Sequence, residues 1–295
     1  MRLKTILKCA AGIVLLALAV TAAIAWTAAG QLLHPDRQRL RDDQNKWLTH
    51  PAAHGLRIHA QSCDHGRVPC LMVAPDATKK PGKRGAALRR QLANHGDALS
   101  PYGETYGILV LLHGRNGRKE SLLPVAERFA AAGFKCVIPD LPAHGDSPVK
   151  NVHFAANRFE RDLPDHVLAD ARAFFGEPTT PAGIWGISMG GAFAVEAVAR
   201  SPGTWKAMVI IASFDSLQGV VDDTLAPLPK PLPGMLGMAL DGMTQYRGDL
   251  ALHKVRPDLK AENIVVPIFI AHGDRDPLIS PARGHQLYDA FSSEG

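Results

Sequence analysis

The sequence predicts an α/β protein in three layers, with a mostly parallel sheet covered by helices on both faces. Two observations predict this class. Short apolar runs alternate with amphipathic helical segments from Tyr106 onward, and sheets buried on both faces are built from such runs. The chain is also long enough, at 295 residues with 46% hydrophobic residues, to bury a large core and a sizeable pocket.

The N-terminal segment differs in kind from the rest. Three basic residues stand in its first eight positions, and no charged residue occurs in the 22 residues from Cys9 to Gly30. A helix of that length crosses a bilayer core. We therefore predict a membrane anchor at 1–30, with the short N-terminal tail inside and the following domain on the extracytoplasmic side. Secretion after signal-peptide cleavage at Ala23-Ile24-Ala25 is the alternative.

A polar juxtamembrane segment at 31–53 precedes a predicted hairpin. The strand-like pieces LRIHAQ and LMVAP flank DHGRVP, an arrangement that brings Cys63 and Cys70 close together. In an exported domain the two thiols could form a disulfide, whereas in a cytosolic one they would be two strand residues. The charged, glycine- and proline-rich residues 76–105 predict an exposed insertion.

Five further strands and four helices are predicted after this insertion. The apolar strands are YGILVLLHG, FKCVIPD, AGIWGIS, WKAMVIIAS and IVVPIFIAHGD, and the helices are SLLPVAERFAAAGF, DHVLADARAFF, MGGAFAVEAVARS and SPARGHQLYDAF. Methionine, leucine and proline residues at 214–263 predict a small apolar cap, with ordinary helix packing as the alternative. The net charge of +5 is dispersed and no nucleic-acid motif accompanies it, so we expect no nucleic-acid partner.

One pentapeptide, Gly186-Ile187-Ser188-Met189-Gly190, joins a predicted strand directly to a predicted helix and has the form G-x-S-x-G. In a parallel sheet, ligands bind beyond the carboxyl ends of the strands, which is where Ser188 stands. Glycines on either side allow a sharp turn that holds the serine hydroxyl outward. The sequence therefore predicts a nucleophile at Ser188, and a buried helix N-cap is the alternative.

With this elbow, the chain from residue 54 to its end resembles the α/β-hydrolase superfamily, in particular its serine esterases and acylglycerol lipases. LLHGRNGRKES is similar to the loop after the third strand of that family. The resemblance implies an oxyanion hole formed by the backbone N–H groups of Arg115 and Met189. PDLPAHGDS is similar to the loop after the fourth strand, although Pro142 and Ala143 replace the usual Arg-Gly. There His144 and Asp146 are interpreted as stabilising the loop.

The triad acid is also implied by the resemblance. AHGDRDPLISP is similar to the family's acid loop, which makes Asp276 the acid and Asp274 the alternative. Asp215, after the predicted sixth strand, is a further alternative, and a turn-initiating role is the structural interpretation of Asp276. Taken together, these motifs imply ester hydrolysis through an acyl-enzyme on Ser188, with an apolar acyl substrate and neither cofactor nor metal. A peptidase or amidase on the same scaffold and an inactive binding protein are the alternatives.

The family's histidine base has no obvious counterpart. It is expected on a loop after an eighth strand, but only 19 residues follow Asp276, and FSSEG ends the sequence where that strand should begin. His285 is the only histidine among them and falls within a predicted helix. We favour a fragment of a longer enzyme; an inactive relative, or a base borrowed from another loop, are the alternatives. The histidines considered for such a base are His144, His153, His253 and His272.

Overall fold

The computed structural model describes residues 2–292, and within them it contains a seven-stranded sheet of order β1-β2-β4-β3-β5-β6-β7. The first two strands form an antiparallel hairpin, β2 pairs antiparallel with β4, and all later pairs are parallel. The strands are β1 (Leu56–Cys63), β2 (Val68–Pro75), β3 (Gly107–Leu112), β4 (Phe134–Pro139), β5 (Ala182–Ile187), β6 (Trp205–Ile211) and β7 (Ile268–Ala271). The last three residues of FSSEG, where an eighth strand was expected to begin, lie outside the described part.

Helices lie on both faces of the sheet. They are α1 (Arg2–Leu33), α2 (Asp42–Thr49), α3 (Lys83–Asn94), α4 (Leu123–Ala131), α5 (Arg158–Phe175), α6 (Met189–Arg200), α7 (Leu217–Leu225), α8 (Leu232–Gly248) and α9 (Pro281–Ser292). Short 3-10 helices occur at Pro51–His54, Lys119–Leu122, Leu252–Lys254 and Pro257–Asn263.

Alternate residues of the central strands enter two separate cores. Val110 and Leu112 of β3 pack with α5 and α6, while Leu111, on the opposite face of the same strand, packs with α4. Successive side chains of a strand point to opposite faces, so both faces are buried only when helices cover each. The predicted three-layer α/β class is confirmed.

The segment 76–105, interpreted as an exposed insertion, contains a helix that the sequence analysis missed. The side chain of Arg89 in α3 donates to the carbonyl oxygens of Ala131 and Ser100. A Cβ on Gly85 would lie 3.0 Å from that of Ala131, so α3 packs closely on α4. The sequence analysis missed α3 because this segment has many basic residues and few apolar ones. Its contact with α4, rather than an apolar stripe, stabilises the helix.

The predicted hairpin is present, and its two cysteines are free, buried thiols. The register pairs Cys63 with Val68 and Cys70 with Gln61. The two cysteines therefore occupy diagonal rather than directly opposite positions. Burial raises the pKa of the Cys70 thiol, to which a contact with Cys63 adds, so it is protonated at neutral pH.

One described helix, spanning Ile6–Leu33 near the N-terminus, is long and apolar enough to cross a membrane; signal sequences share this property. Most of its side chains are exposed, but its last turns are not: Ala25, Ala29 and Leu33 are 1%, 0% and 0% exposed. These three residues recur at helical spacing and form one buried face. α1 is therefore an apolar helix that is exposed over most of its length. Its C-terminal end packs against the α/β domain, mainly on α8.

Candidate active site

Ser188 sits on a sharp turn between β5 and α6. Its backbone has φ 53° and ψ −121°, a strained conformation for a residue with a side chain. A Cβ on Gly186 would lie 2.2 Å from the Gly190 carbonyl oxygen, and one on Gly190 would lie 2.2 Å from that of Leu112. Because neither position has room for a side chain, both glycines are required for the turn that projects the Ser188 hydroxyl.

The loop after β3 lies directly against this serine. A Cβ placed on Gly114 would be 3.2 Å from the Ser188 Cβ and 3.8 Å from its Oγ. Arg115, the next residue, and Met189 line the same cavity as Ser188. Met189 is the first residue of α6, where backbone N–H groups lack an intrahelical acceptor. The two residues predicted to form the oxyanion hole are thus next to the serine, and their role remains a proposal.

His113 connects the loop after β3 to the loop after β4, and it is not positioned to act as a base. Its Nε2 accepts from the Leu141 N–H at 3.1 Å, and its Nδ1 lies 2.9 Å from the Gly114 carbonyl oxygen. Burial lowers the pKa of His113 to about 4, so the ring is neutral at pH 7. A neutral ring with Nδ1–H donating satisfies both bonds.

An ionic cluster joins the loop after β3 to the loop after β4. The Lys119 ammonium donates to the carboxylates of Asp140, at 2.7 Å, and Asp146, at 2.5 Å, and Arg118 donates to Asp146 at 3.0 Å. His144 is fully buried, with its Nδ1 2.8 Å from the Pro142 carbonyl oxygen. These contacts agree with the interpretation that His144 and Asp146 stabilise the loop after β4.

Asp276 lies in the loop after β7, next to the cavity. Its Oδ1 accepts from the N–H groups of Leu278, at 2.8 Å, and Ile279, at 3.0 Å, two residues that also line the Ser188 cavity. Its Oδ2 lies 3.6 Å from Nε2 of His272. A local turn therefore fixes Oδ1, and Oδ2 contacts the His272 ring, so both interpretations of Asp276 fit the geometry.

The alternative acids are placed differently. Asp274 is exposed and borders a separate cavity with His285. Asp215 is buried and pairs with Arg283 of α9 at 3.4 Å. The Arg283 guanidinium therefore neutralises the charge of Asp215, and this ion pair with an arginine is a structural contact that Asp276 lacks.

Within the described residues, no histidine lines the cavity that contains Ser188. His285 is exposed on α9, as expected for a helix-surface residue. The other candidates have these partners: His144 contacts Pro142, His153 contacts Glu160 and Gly248, His253 contacts Asp241, and His272 contacts both Ile279 and Asp276. No borrowed base is evident among them.

The Ser188 cavity has a volume of about 460 Å³ and mostly apolar walls. Phe214, Leu217 and Val221 form part of it from the predicted cap, which contributes both α7 and α8. Three residues of α1 also line it: Ala28, Gln31 and Leu32. The sequence analysis missed these three, because nothing in a uniformly apolar helix marks which residues pack on a distant domain.

Comparison with known proteins agrees with this geometry. Residues 103–244 match a family described as serine aminopeptidase, S33. Over 231 residues the chain is 29% identical to a monoacylglycerol lipase of Mycolicibacterium smegmatis, covering 67% of this chain and 80% of that one. An esterase of Pyrococcus furiosus has a similar structure, with a TM-score of 0.58 at 16% identity over 88% of this chain and 85% of its own.

A similar fold also occurs in a Pyrococcus horikoshii acylaminoacyl peptidase, with a TM-score of 0.56 at 14% identity. The match covers 85% of this chain and 37% of that larger one. A strand, a serine turn and a helix within a helix-covered parallel sheet define the hydrolase class of α/β proteins. Together, the family match, the lipase relative and the shared fold support an α/β-hydrolase superfamily member, as the sequence motifs implied.

Proposed function

We propose that the protein is a serine hydrolase that cleaves carboxylic esters of apolar acyl groups through an acyl-enzyme on Ser188. The observation that carries this proposal is the position of Ser188, which stands on a strained turn and lines a largely apolar cavity. Strain at such a turn is characteristic of functional positions. The monoacylglycerol lipase relative supports an ester rather than an amide as substrate.

The proposed reaction follows from the groups around the serine. Ser188 Oγ attacks the ester carbonyl while a base takes its proton, and the backbone N–H groups of Arg115 and Met189 stabilise the oxyanion that forms. The alcohol leaves, and water then hydrolyses the acyl-enzyme to a carboxylic acid. Asp276 is proposed to orient the base through Oδ2. The chemistry needs no metal or cofactor.

We also propose an arrangement for the whole chain. Residues 1–30 anchor it in a membrane, 31–53 follow the anchor, and 54–295 form the hydrolase domain with 214–263 as its cap. The length and hydropathy of α1 support the anchor. The basic residues before the span favour a cytoplasmic N-terminus, which puts the domain on the extracytoplasmic side.

An activity-based label tests the proposal. The full chain would be treated with a fluorescent fluorophosphonate beside Ser188→Ala and Ser62→Ala, the second removing an exposed hydroxyl on β1. We expect the label on the wild type and on Ser62→Ala and its loss in Ser188→Ala. A folded wild-type chain that takes no label would reject the hydrolase and favour the binding protein.

Matched substrates distinguish ester from amide cleavage. Rates on p-nitrophenyl butyrate and on butyryl p-nitroanilide would be compared, since both release the same acyl group. We expect the ester to be cleaved faster by kcat/KM. A preference for the anilide would support the peptidase that the S33 match suggests.

A further inference from the structure

The exposed part of α1 has the length of a membrane span. From Ile6 to Ala25 a helix rises about 30 Å, the thickness of a bilayer's hydrocarbon core. Side chains such as Ile13 and Leu16 are 68% and 67% exposed, whereas Ala25 is 1% exposed. Contact with the domain therefore begins where the span ends. Trp26, half exposed at this boundary, is a residue type enriched at membrane interfaces.

Beyond that boundary, specific contacts fix the helix to the domain. The Arg247 guanidinium of α8 lies 4.2 Å from the centre of the Trp26 ring and donates to the Trp26 carbonyl oxygen. Arg115 donates to the Gln31 carbonyl oxygen at 2.7 Å, and the Val152 N–H donates to that of Leu33 at 3.0 Å. Arg115, one of the two residues proposed for the oxyanion hole, is thus in direct contact with the C-terminal end of α1.

A groove on α1 continues into the Ser188 cavity. It is lined by Val20, Ala23, Ile24, Thr27, Ala28 and Gln31, and the last two also line the cavity itself. Among the residues that the structure describes, no charged one lines the groove, and Arg115 is the one charged residue lining the cavity. A nearly uncharged surface of α1 thus extends from within the span to the wall of the Ser188 cavity.

We propose that the substrate is a single-chain acyl ester dissolved in the bilayer and that it reaches Ser188 along this groove. In this proposal Ala28, Gln31 and Leu32 of α1 form the wall for its acyl chain and are specificity-determining residues. The claim that this lipid is hydrolysed rests on the proposed function, whereas the claim that it binds in the groove does not. A bilayer lipid fits this groove because the groove begins on a helix that is long and apolar enough to cross a membrane.

Photo-crosslinking tests the binding route without requiring catalysis. The full chain, as wild type and as Ser188→Ala, would be placed in phosphatidylcholine vesicles containing a monoacylglycerol with a diazirine in its acyl chain, and the crosslinked peptides would be mapped. We expect crosslinks in residues 24–32 and in α7. The matched variants are Ala28→Trp, which fills the shared part of the groove, and Ala22→Trp, an exposed position that lines neither cavity.

Loss of the α7 crosslinks in Ala28→Trp, with their retention in Ala22→Trp, would support the route. Crosslinks confined to residues 6–24, or α7 crosslinks equal in the two variants, would overturn it.

Hydrolysis provides the second readout. Vesicles would carry the protein together with the monoacylglycerol, or the protein alone beside separate vesicles of lipid. We expect hydrolysis at least about tenfold faster in the shared vesicles, because the membrane raises the local substrate concentration. Equal rates would overturn delivery from the bilayer. In Ala28→Trp, the ratio of monoacylglycerol to p-nitrophenyl butyrate hydrolysis should fall about tenfold.

The two proposals fail separately. A wild-type chain that cleaves neither substrate but shows the expected crosslinks would overturn the hydrolase and keep the lipid route. A chain that cleaves p-nitrophenyl butyrate but shows no α7 crosslinks would keep the hydrolase and overturn the route.

Discussion

The Lys119 ammonium lies 2.7 Å from the Asp140 carboxylate, and both residues are buried, at 5% and 0% exposure. Burial alone would lower the pKa of Lys119, but the combined attraction of Asp140, Asp146 and Glu120 outweighs it, so this pKa lies above its usual value. The pair joins the loop after β3 to the loop after β4. It therefore supports the segment that carries Arg115 and contacts Ser188.

Replacing this lysine should destabilise the fold strongly. Lys119→Met leaves the Asp140 carboxylate buried without its cation, and breaking a buried pair in this way costs about 3–5 kcal/mol. Urea unfolding in detergent would measure the loss. Lys79→Met, at an exposed position, is the control and should change stability by less than about 0.5 kcal/mol. A similar small effect at both sites would show that the cluster contributes little.

The elbow should not tolerate a methyl group. In Gly190→Ala the new Cβ would stand 2.2 Å from the Leu112 carbonyl oxygen, so either β3 or the Ser188 turn must move. We expect loss of fluorophosphonate labelling and a stability loss of at least about 1–3 kcal/mol. Gly234→Ala, with no atom within 4 Å of the added Cβ, is the matched control. Normal labelling of Gly190→Ala would contradict this account of the turn.

Acid should destabilise the domain through two buried histidines. Burial lowers the pKa of His113 to about 4 and that of His144 to about 4, with the nearby His113 ring adding to the effect on His144. Between pH 6.5 and 4 the unfolded chain binds protons that the folded one does not, so stability falls as pH falls through this window. Each group contributes on the order of 3 kcal/mol.

Thermal unfolding at pH 7.5, 5.5 and 4.5 would measure this loss. His144→Gln should weaken the pH dependence, whereas His65→Gln, at an exposed position, should leave it unchanged. An unaltered profile for His144→Gln would exclude His144 as a source of the acid sensitivity.

Asp276 and Asp274 should differ in their effect on catalysis. In Asp276→Asn the side-chain oxygen still accepts from the N–H groups of Leu278 and Ile279, so the turn is retained while the negative charge is lost. We expect the rate to fall by about 10⁴, as when a triad aspartate becomes asparagine. The exposed Asp274→Asn is the control. Steady-state kinetics on p-nitrophenyl butyrate would decide, and equal effects would reject the assignment of Asp276.

The features that the sequence predicted well are those that a local residue pattern determines. The strands β3 to β6 are apolar runs, interrupted only by one lysine each in β4 and β6. The elbow has glycines where a Cβ would collide, so both features could be located from short stretches of chain. The helix α3 was missed because its stability comes from packing on α4. The docking of Ala28, Gln31 and Leu32 was missed for a related reason: these residues lie more than 150 positions from Ser188, and no local pattern records such a contact.

The buried end of α1 also bears on how the chain is processed. Ala25, the last residue of the alternative cleavage site, is helical and 1% exposed once α1 has packed on α8. A signal peptidase needs an accessible, extended backbone, so it can act only before that packing is complete. Under the signal-peptide alternative, retention or release would then be a kinetic competition between folding and cleavage. Substitutions that slow the docking of Trp26 on Arg247 would favour the released form even though they leave the Ala-Ile-Ala motif intact.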